Sequence, residues 1–423
     1  MELKGKKLLI LGATTETIFL VKKAESLGVL TYVVDPYENA PAKKYSSNPI
    51  NLNCFDIDGV LGIIENNKID GVLPGCADVL VPVYEEVCRK AGKYCYINEE
   101  IVKVFGNKKG LKEMLIKHGL PVIEEFTYEE VISEGFNSYP IFLKPTDNNS
   151  SKGMTIVYDK SGFDVAYKKA LENSRSKTVL IEKYKTCNDF FMGYLLQDGK
   201  VAVTFTADRF VNAEQKGVGT ITAGMLYPSK YTDLYFNTIH KKMISIFEKL
   251  EFKNGLMHIQ GFVENGKIMF YDPALRITGG QEYLLLEKIY GLDLLKCLIN
   301  FALIGSVAEE DLTSICDCKF HGKIGCNLAF SVRAGKIGKI DGIEYAKKHK
   351  NVINVTQEHY DGALIDRIGT AQQNIARMHL IADSREEMRD AILDLQANVI
   401  AYDEAGCNMM LTGLNANDWY ARK

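Results

Sequence analysis

The first hundred residues alternate short apolar runs with stretches of helical spacing. Ile18, Val21 and Ala24 recur at the spacing of one helical face, and Gly28 follows them as a C-terminal stop. Strands that alternate with such helices form a parallel, doubly wound sheet. We therefore predict an N-terminal doubly wound parallel-sheet domain over residues 1–105, with strands at residues 8–11, 31–34, 71–73 and 94–97.

The turn after the first of these strands lacks a dinucleotide-binding fingerprint. That fingerprint requires three glycines at fixed spacing, whereas here Gly12 is followed by Thr14 and Thr17 at the other two positions. The N-terminal domain therefore does not favour a nicotinamide enzyme.

The pattern changes after residue 105, where polar loops and hairpins separate the strands. Asp198-Gly199 and Asn265-Gly266 are typical of tight hairpin turns. This α+β pattern predicts a second domain over residues 106–304. Its first part is expected to contain strands at residues 140–144, 155–158 and 178–184 and a helix at residues 162–173.

A third unit, also of α+β type, is predicted over residues 305–423. Its clearest element is a helix that begins after Ser384, with Glu387 three residues later at the spacing of a capping box. The apolar stripe of this helix predicts core packing rather than a functional site, and consists of Met388, Ala391, Ile392 and Leu395. The fold class is therefore mixed, α/β at the N-terminus and α+β beyond it.

Composition excludes several classes of protein. Lys plus Arg number 51 and Asp plus Glu 54, and no basic run interleaves with aromatic residues, so we expect no nucleic-acid partner. No apolar stretch reaches the length that spans a bilayer, and the first apolar run is too short for a signal peptide. Ten cysteines without a disulfide-type spacing fit a reducing compartment. We expect a cytoplasmic protein with no membrane partner.

Four potential zinc ligands fall close together at Cys316, Cys318, His321 and Cys326. Their spacing matches no common zinc motif, and the glycines beside them indicate a turn between two strands. We favour buried thiols at these positions, and the sequence leaves metal binding there open.

A polar loop after the strand at residues 140–144 has the composition of a phosphate-binding segment. Small residues allow backbone amides to approach a phosphate, and Lys144 and Lys152 could neutralise its charge. The loop is not followed by a Gly-Lys-Ser/Thr motif and a helix, so it is not the loop that opens a helix in nucleotide-binding α/β proteins. An ordinary polar hairpin loop is the alternative.

A hairpin at Asn265-Gly266 brings Gln260 and Asp272 towards each other. A two-residue turn would pair Gln260 with Tyr271 and send Asp272 to the opposite face. We predict instead a three-residue loop over residues 264–266, with Gly266 left-handed. This pairs Gln260 with Phe270 and leaves Asp272 one diagonal step away, about 7–8 Å between backbone positions.

The order of these motifs resembles that of the ATP-grasp superfamily, which includes biotin carboxylase, D-alanine–D-alanine ligase and the large subunit of carbamoyl phosphate synthetase. The likeness runs from about residue 7 to residue 410 and is strongest to carboxylate–amine ligases. It implies an ATP-grasp fold with a small nucleotide-lid subdomain at about residues 123–185 and a C-terminal lid-like α+β unit. The motifs that carry it are Lys108, Lys144 with its loop, Glu182-Lys183-Tyr184, Asp189, Asp272 and Arg276.

The resemblance implies a role for each motif. Arg276 would stabilise an acyl phosphate and Lys144 would act with it in catalysis, while Asp272 and Gln260 would bind magnesium. Gly279 and Gly280 would leave room for the substrate. The implied nucleotide-binding residues are Lys108, Lys144, Ser150, Ser151, Lys152, Gly153, Met154, Glu182, Lys183, Tyr184 and Asp189, with the phosphates on the lysines and the loop, the adenine at residues 182–184 and the ribose on Asp189.

The chain departs from the family at the metal ligands. Gln260 stands where a glutamate is expected and Ala274 where asparagine is common. Because magnesium prefers carboxylates, waters and substrate phosphates, one of two metal sites is expected to be weakened or lost.

The implied function is an ATP-dependent ligase that converts a carboxylate into an acyl phosphate and joins it to an amine, with ATP and Mg²⁺ as cofactors. Its partners would be small-molecule carboxylates and amines, and the family likeness is compatible with a homodimer. Two alternatives stay open: a bicarbonate-activating, carboxylase-like enzyme, and a nucleotide-binding protein that has lost turnover.

Overall fold

The computed structural model describes residues 2–146, 153–174, 176–186, 188–212 and 221–421. Its N-terminal elements are β1 (Lys7–Leu11), α1 (Ile18–Ser26), β2 (Leu30–Asp35), β3 (Asn48–Asn51), α2 (Ile57–Asn67), β4 (Gly71–Pro74) and α3 (Val81–Ala91). The strands form a parallel sheet in the order β3-β2-β1-β4. This confirms the predicted doubly wound sheet and three of its four predicted strands, whose continuous apolar runs fit a sheet buried on both faces.

The fourth predicted strand, at residues 94–97, is wrong. These residues form no strand and connect α3 to α4 (Glu99–Phe105). Tyr96 is buried, with its ring 5.1 Å from that of Tyr84, and its hydroxyl donates to the carbonyl of Leu275 at 2.8 Å. The apolar run therefore reflects burial between two parts of the chain rather than sheet pairing.

A small antiparallel sheet follows α5 (Lys108–Lys117). Its elements are β5 (Glu125–Phe126), α6 (Tyr128–Ile132), β6 (Ile141–Pro145), β7 (Thr155–Val157), α7 (Phe163–Glu172) and β8 (Val179–Lys183), with the strand order β5-β8-β6-β7. Residues such as Phe163, Ile141 and Leu143 form a core cluster separate from the cores of the rest of the protein. The small sheet therefore packs as a unit of its own.

The central part of the chain builds a large antiparallel sheet. Its elements are β9 (Asn188–Gln197), β10 (Lys200–Asn212), β11 (Ile221–Tyr227), α8 (Thr232–Thr238), α9 (His240–Lys249), β12 (Gly255–Glu264), β13 (Lys267–Ala274), α10 (Tyr283–Tyr290) and α11 (Leu294–Ile304). The strands lie in the order β13-β12-β9-β10-β11. The predicted turn at Asp198-Gly199 joins β9 to β10 and is confirmed.

The C-terminal elements extend this same sheet. They are β14 (Ile324–Ser331), β15 (Gly335–Asp341), α12 (Ile343–Lys348), β16 (Val352–Gln357), β17 (Leu364–Ile365), β18 (Asn374–Ala382), α13 (Arg385–Asn398), β19 (Ile400–Asp403) and α14 (Ala416–Ala421). Because β11 pairs with β14, the order continues as β11-β14-β18-β16, while β17, β15 and β19 form a separate sheet.

Helix α13 has the predicted cap and core face. The side chain of Ser384 accepts a hydrogen bond from the amide of Glu387, and the four residues of the apolar stripe are buried. The division into three domains at residues 105 and 304 stays a prediction. Within the described residues, no helix combines the length and the apolar character needed to cross a membrane.

Candidate active site

The two lysines predicted to contact phosphates lie on different elements and line the same cavity. Lys108 is the first residue of α5, and its Nζ lies 3.4 Å from Oδ1 of Asp272 on β13. Lys144 lies on β6 and is buried, with its Nζ 2.7 Å from Oε2 of Glu182 on β8. Each predicted cation is thus held by a carboxylate that the sequence also singled out.

A third lysine, which sequence reasoning missed, completes this group. Nζ of Lys112 lies 3.2 Å from Glu182 and 2.8 Å from Glu125, so this lysine joins α5 to the small sheet through two carboxylates. Residues four apart lie on the same face of a helix, and Lys112 follows Lys108 at that spacing. That spacing is the signal that could have found it.

A cavity of about 240 Å³ opens between α5, the small sheet and β13. One part of its wall is apolar and the rest is charged, an arrangement that suits a flat base together with phosphates. The residues that line it are Lys108, Leu111, Lys112, Val122, Ile123, Lys144, Leu180, Glu182, Phe270 and Tyr271.

The hairpin between β12 and β13 differs from the predicted one. Its turn is the two-residue Asn265-Gly266, with both residues at positive φ, and Glu264 pairs with Lys267. The predicted three-residue loop is therefore wrong. A β-bulge opposite Gln260 and Gly261 shifts the register, so that Gln260 lies directly opposite Asp272. The two candidate metal ligands are paired across the strands rather than placed on a diagonal.

Asp189 is part of a buried network that the sequence did not predict. Its carboxylate forms an ion pair with Arg209, directly opposite on β10, and lies 3.2 Å from the hydroxyl of Tyr271. The same hydroxyl donates to Oε1 of Gln260 at 2.8 Å. Burial raises the pKa of Asp189 despite the opposing charge of Arg209. Both carboxylate oxygens of the predicted ribose ligand therefore already have protein partners.

The side chains at the candidate metal-ligand positions fit one magnesium ion better than two. The side chain of Asp272 is 47% exposed and its carboxylate borders the cavity at Lys108. The amide oxygen of Gln260 is neutral and accepts from Tyr271, and Ala274 offers no side-chain donor. Since magnesium prefers carboxylates with waters and phosphates, Asp272 can hold one ion together with a nucleotide. The residues for a second ion do not fit.

Arg276 is fixed by the N-terminal domain. Its Nε and Nη2 donate to the two carboxylate oxygens of Asp78, both at 2.7 Å, and Nη1 donates to the sulfur of Cys76 at 3.2 Å. Burial alone would raise the pKa of Asp78, but the guanidinium more than offsets this and holds it below its usual value. Burial lowers the pKa of Arg276, but Cys76, Asp78 and, less strongly, Asp272 more than offset this and raise it above its usual value.

Sequence reasoning missed Asp78 and Cys76. Both follow β4, and the carboxyl ends of parallel strands meet at the edge where open α/β sheets bind ligands. That position is a signal that could have found them. His258, on β12, is buried, and burial followed by the charge of Arg276 lowers its pKa to about 3. It is therefore neutral beside Arg276.

The remaining predicted site residues are less closely grouped. Lys183 turns its Nζ to the carbonyls of Ser138 and Tyr139, at 2.9 and 3.2 Å. Tyr184 lies half-buried next to Phe142. Gly153 has φ +75° and precedes Met154 at the start of the return strand. Ser150, Ser151 and Lys152 lie outside the described residues.

Downstream of Arg276, the two glycines predicted to leave room for a substrate differ in their surroundings. A Cβ at Gly279 would make only ordinary van der Waals contacts, with the sulfur of Cys76 at 3.6 Å and Cγ of Glu16 at 3.8 Å. A Cβ at Gly280 would lie 1.9 Å from a carboxylate oxygen of Glu282, so a larger residue there would have to displace that buried side chain.

The cysteine cluster has structural partners. The thiol of Cys318 donates to the carbonyl of Val203 at 2.8 Å, and His321 pairs with Asp317. Burial raises the pKa of Cys316 and of Cys318 to about 12, and Cys326 is fully buried. Over the part of the chain that the structure describes, no group of three or more His, Cys, Asp or Glu residues could hold a metal ion.

Comparison with known proteins agrees with this geometry. The family described as D-ala D-ala ligase C-terminus matches residues 113–272. Formate-dependent phosphoribosylglycinamide formyltransferase from Prochlorococcus marinus is 27% identical over 186 residues, covering 42% of this chain and 47% of that protein. The chain thus matches about half the length of this curated relative.

Two solved structures share nearly the whole fold. An L-amino acid ligase from Bacillus licheniformis has a TM-score of 0.77 at 18% identity, covering 95% of this chain and 99% of that one. The second structure is the biotin carboxylase domain dimer of Hydrogenobacter thermophilus 2-oxoglutarate carboxylase, in complex with MgADP, ADP and bicarbonate. It has a TM-score of 0.73 at 15% identity, covering 96% of this chain and 91% of that one.

The family match, the curated relative and the two structures fall within the superfamily that the order of motifs resembles. Most of the residues that line the cavity, from Val122 to Tyr271, lie within the matched range 113–272, and the three on α5 lie just before it. The chain has the ATP-grasp fold, and its residues 113–272 match the family described as D-ala D-ala ligase C-terminus.

Proposed function

We propose that this protein is an ATP-dependent carboxylate–amine ligase. It transfers the γ-phosphoryl group of ATP to a small-molecule carboxylate, releasing ADP, and an amine then displaces phosphate from the acyl phosphate to give an amide. The observation that carries the proposal is the fixed guanidinium of Arg276, held by both oxygens of Asp78 beside Asp272 and the lysine-lined cavity.

The lysines of the cavity bind and orient the nucleotide. Lys108 and Lys144 exchange their carboxylate partners Asp272 and Glu182 for phosphate oxygens, and Glu182 keeps Lys112. A magnesium ion held by Asp272, when bound, offsets the repulsion between a carboxylate substrate and the triphosphate. The apolar wall formed by residues such as Leu111, Ile123 and Leu180 takes the base.

Arg276 supplies the charge that the acyl-transfer steps require. Negative charge accumulates on the acyl phosphate and on the tetrahedral intermediate, and a cation already fixed in place stabilises it without reorganisation. Asp78 orients this cation bidentately, and the neutral His258 beside it adds no competing charge.

A nucleotide-binding protein without turnover is the second candidate. Gln260 and Ala274 favour it, because both replace metal ligands expected in the superfamily, and Arg209 already neutralises Asp189. Lys108 and Lys144 nevertheless line one cavity, and Asp272 pairs with Lys108, which supports the ligase. We further propose that the ligase acts on small molecules in the cytoplasm and that it assembles as a homodimer.

Trapping of the acyl phosphate tests the ligase directly. Hydroxylamine converts acyl phosphates to hydroxamates, so the purified protein is incubated with Mg–ATP, hydroxylamine and a panel of small acids while ADP release is followed. We expect equal amounts of hydroxamate and ADP for particular acids. Arg276→Lys should lower the rate by about 100-fold or more, the usual loss for a donor to a developing oxyanion.

Arg333→Lys is the matched control, because Arg333 is half-exposed on the C-terminal unit and pairs only with Asp403 among the described ion pairs. It should retain the full rate. ADP release with bicarbonate alone would instead identify a carboxylase-like enzyme. Tight nucleotide binding without ADP release across the acid panel would establish the second candidate.

A further inference from the structure

A second charged cluster adjoins Arg276 and contains none of the residues assigned so far. It consists of Glu16, in the turn that follows β1, Glu358, directly after β16, and Arg377, on β18. The N-terminal sheet and the C-terminal extension of the large sheet therefore both contribute to it. We call these three residues the Glu16–Glu358–Arg377 cluster.

The cluster is linked to Arg276 through Cys76. Nη1 of Arg276 donates to the sulfur of Cys76, and the missing side chain of Gly279 leaves a space bordered by that sulfur and by Cγ of Glu16. The charge of Glu16 in turn contributes to the raised pKa of Glu358, which faces Arg377. The groups therefore follow one another in the order Arg276, Cys76, Glu16, Glu358 and Arg377.

The cation of this cluster is incompletely satisfied within the described residues. Nε of Arg377 is buried and has no hydrogen-bond partner there, and the nearest carboxylate oxygen, on Glu358, lies 3.8 Å away. That distance is longer than a hydrogen bond. A buried N–H group without an acceptor costs about 1–3 kcal/mol and calls for an explanation.

The two carboxylates and one guanidinium match the charges of a zwitterion. A ligand carboxylate would give Arg377 the acceptor it lacks, with the geometry that a guanidinium prefers. A ligand ammonium group would lie between the two glutamates, whose charges Arg377 alone does not balance. In the order given above, Glu16 is closer than Arg377 to Cys76 and Arg276. The ammonium end of the ligand would therefore face Arg276, where the acyl phosphate reacts.

We propose that Glu16, Glu358 and Arg377 bind the amine substrate as the zwitterion of an α-amino acid, with its carboxylate on Arg377 and its amino group directed towards Arg276. This rests on the ligase proposed above and names its amine. The carboxylate held by Arg377 is turned away from the nucleotide, so it is the other substrate whose carboxylate is phosphorylated.

The proton balance of the second step follows from this placement. The ammonium group first loses a proton to the carboxylate of Glu358, and the free amine attacks the carbonyl carbon of the acyl phosphate. The C–N bond forms, the bond between the acyl carbon and the phosphate oxygen breaks, and the second proton of the amine leaves with the phosphate. Because burial raises the pKa of Glu358 to about 7, its carboxylate accepts a proton more readily than an ordinary glutamate.

Binding measurements test the proposal without relying on turnover. The complete protein with Mg–ADP is titrated with a panel of L-amino acids, with the corresponding amino acid amides and with amines that lack the carboxylate. We expect calorimetry to detect at least one amino acid, bound about tenfold or more tightly than its amide. Arg377→Gln should remove that preference, and Arg377→Lys should restore part of it.

Amide formation supplies the second readout. Arg377→Gln and Glu358→Gln should raise KM for the amino acid about tenfold or more while KM for ATP changes far less. Arg333→Gln and Glu404→Gln are the matched controls, since both residues lie exposed on the same C-terminal unit, and they should leave both KM values unchanged. Circular dichroism and the melting temperature establish that each variant is folded.

The outcomes separate this proposal from the function on which it rests. Absence of hydroxamate with every acid would refute the ligase, whereas binding of an amino acid that depends on Arg377 would still support the cluster. Equal binding of amino acids and amines without a carboxylate, or an amino acid affinity that Arg377→Gln leaves unchanged, would overturn the zwitterion site even if hydroxamate forms.

Discussion

Glu358 should make the stability of the protein depend on pH. Burial raises the pKa of this carboxyl from 4.5 to about 7, which Arg377 on β18 partly opposes and Glu16 reinforces. A folded-state pKa above the unfolded-state value means that the folded protein binds the proton more tightly. The stabilisation by the protonated form is therefore complete below about pH 4.5 and is lost as the pH rises through about 7.

The size of the effect follows from the shift. The difference between about 7 and 4.5 is about 2.5 pKa units, and at about 1.4 kcal/mol per unit the full loss is about 3.5 kcal/mol. Between about pH 5 and pH 8 the unfolding free energy should fall by about 2.5 kcal/mol from this group alone. The side chain is 20% exposed, so solvent screening reduces this figure only modestly.

Glu358→Gln isolates this contribution, because glutamine resembles the protonated carboxyl and does not titrate. Urea unfolding of both proteins, without ligands, should show the variant gaining about 2–3 kcal/mol relative to the wild type between about pH 5 and pH 8. Arg377 stays charged throughout this pH range, and its attraction for the Glu358 carboxylate is already contained in the pKa of about 7.

Glu404→Gln serves as the control, because Glu404 is largely exposed and pairs with Lys336 at the surface. Its stability difference from the wild type should stay nearly constant over the same range. A constant difference for Glu358→Gln as well, or a variant that becomes relatively less stable as the pH rises, would refute the assignment of a raised pKa.

Three further predictions concern the candidate active site. Asp272→Ala should abolish ATP turnover. It should also weaken Mn²⁺ binding, measured by electron paramagnetic resonance in the presence of ADP. Retained turnover would refute the assignment of Asp272 as a metal ligand. Gln260→Glu should strengthen Mg²⁺ binding, read as a lower Mg²⁺ concentration for half-maximal ADP binding, because it places a second carboxylate opposite Asp272. Asp78→Asn should lower the unfolding free energy by about 1.5–3 kcal/mol and slow hydroxamate formation, since it leaves the half-buried Arg276 without its carboxylate partner. A change of under about 0.5 kcal/mol would contradict a stabilising pair.

The sequence predicts well those features that depend on local pattern. The apolar runs of β1, β2 and β4 are long enough to identify buried parallel strands without any knowledge of their neighbours. The same criterion failed at residues 94–97. Tyr96 is buried there, but it packs against the ring of Tyr84 and donates to the carbonyl of Leu275 instead of belonging to a strand. Burial alone does not distinguish a strand from an irregular segment at an interface.

Site residues that depend on strand register could not be predicted in the same way. Arg209 and Asp189 are twenty positions apart and meet only because β9 and β10 pair with those two residues opposite each other. Lys112 and Asp78, in contrast, carried usable signals: a helical spacing from Lys108 and a position after a parallel strand. Contacts between residues far apart in the sequence, such as Arg276 with Asp78, needed the packing of the whole chain.

The β12–β13 hairpin joins both kinds of information. Asn265-Gly266 correctly marks a tight turn, and a regular two-residue turn would have separated Gln260 from Asp272 onto opposite faces. The bulge beside Tyr271 restores them to one face, and it also brings the Tyr271 hydroxyl to within 2.8 Å of Gln260. A single extra residue on one strand thus determines whether the candidate metal ligands meet, and it aims a tyrosine at the position where the superfamily would supply a metal-binding carboxylate. Gln260 therefore already has a protein partner at that position, since the Tyr271 hydroxyl that it accepts from also contacts Asp189 beside Arg209.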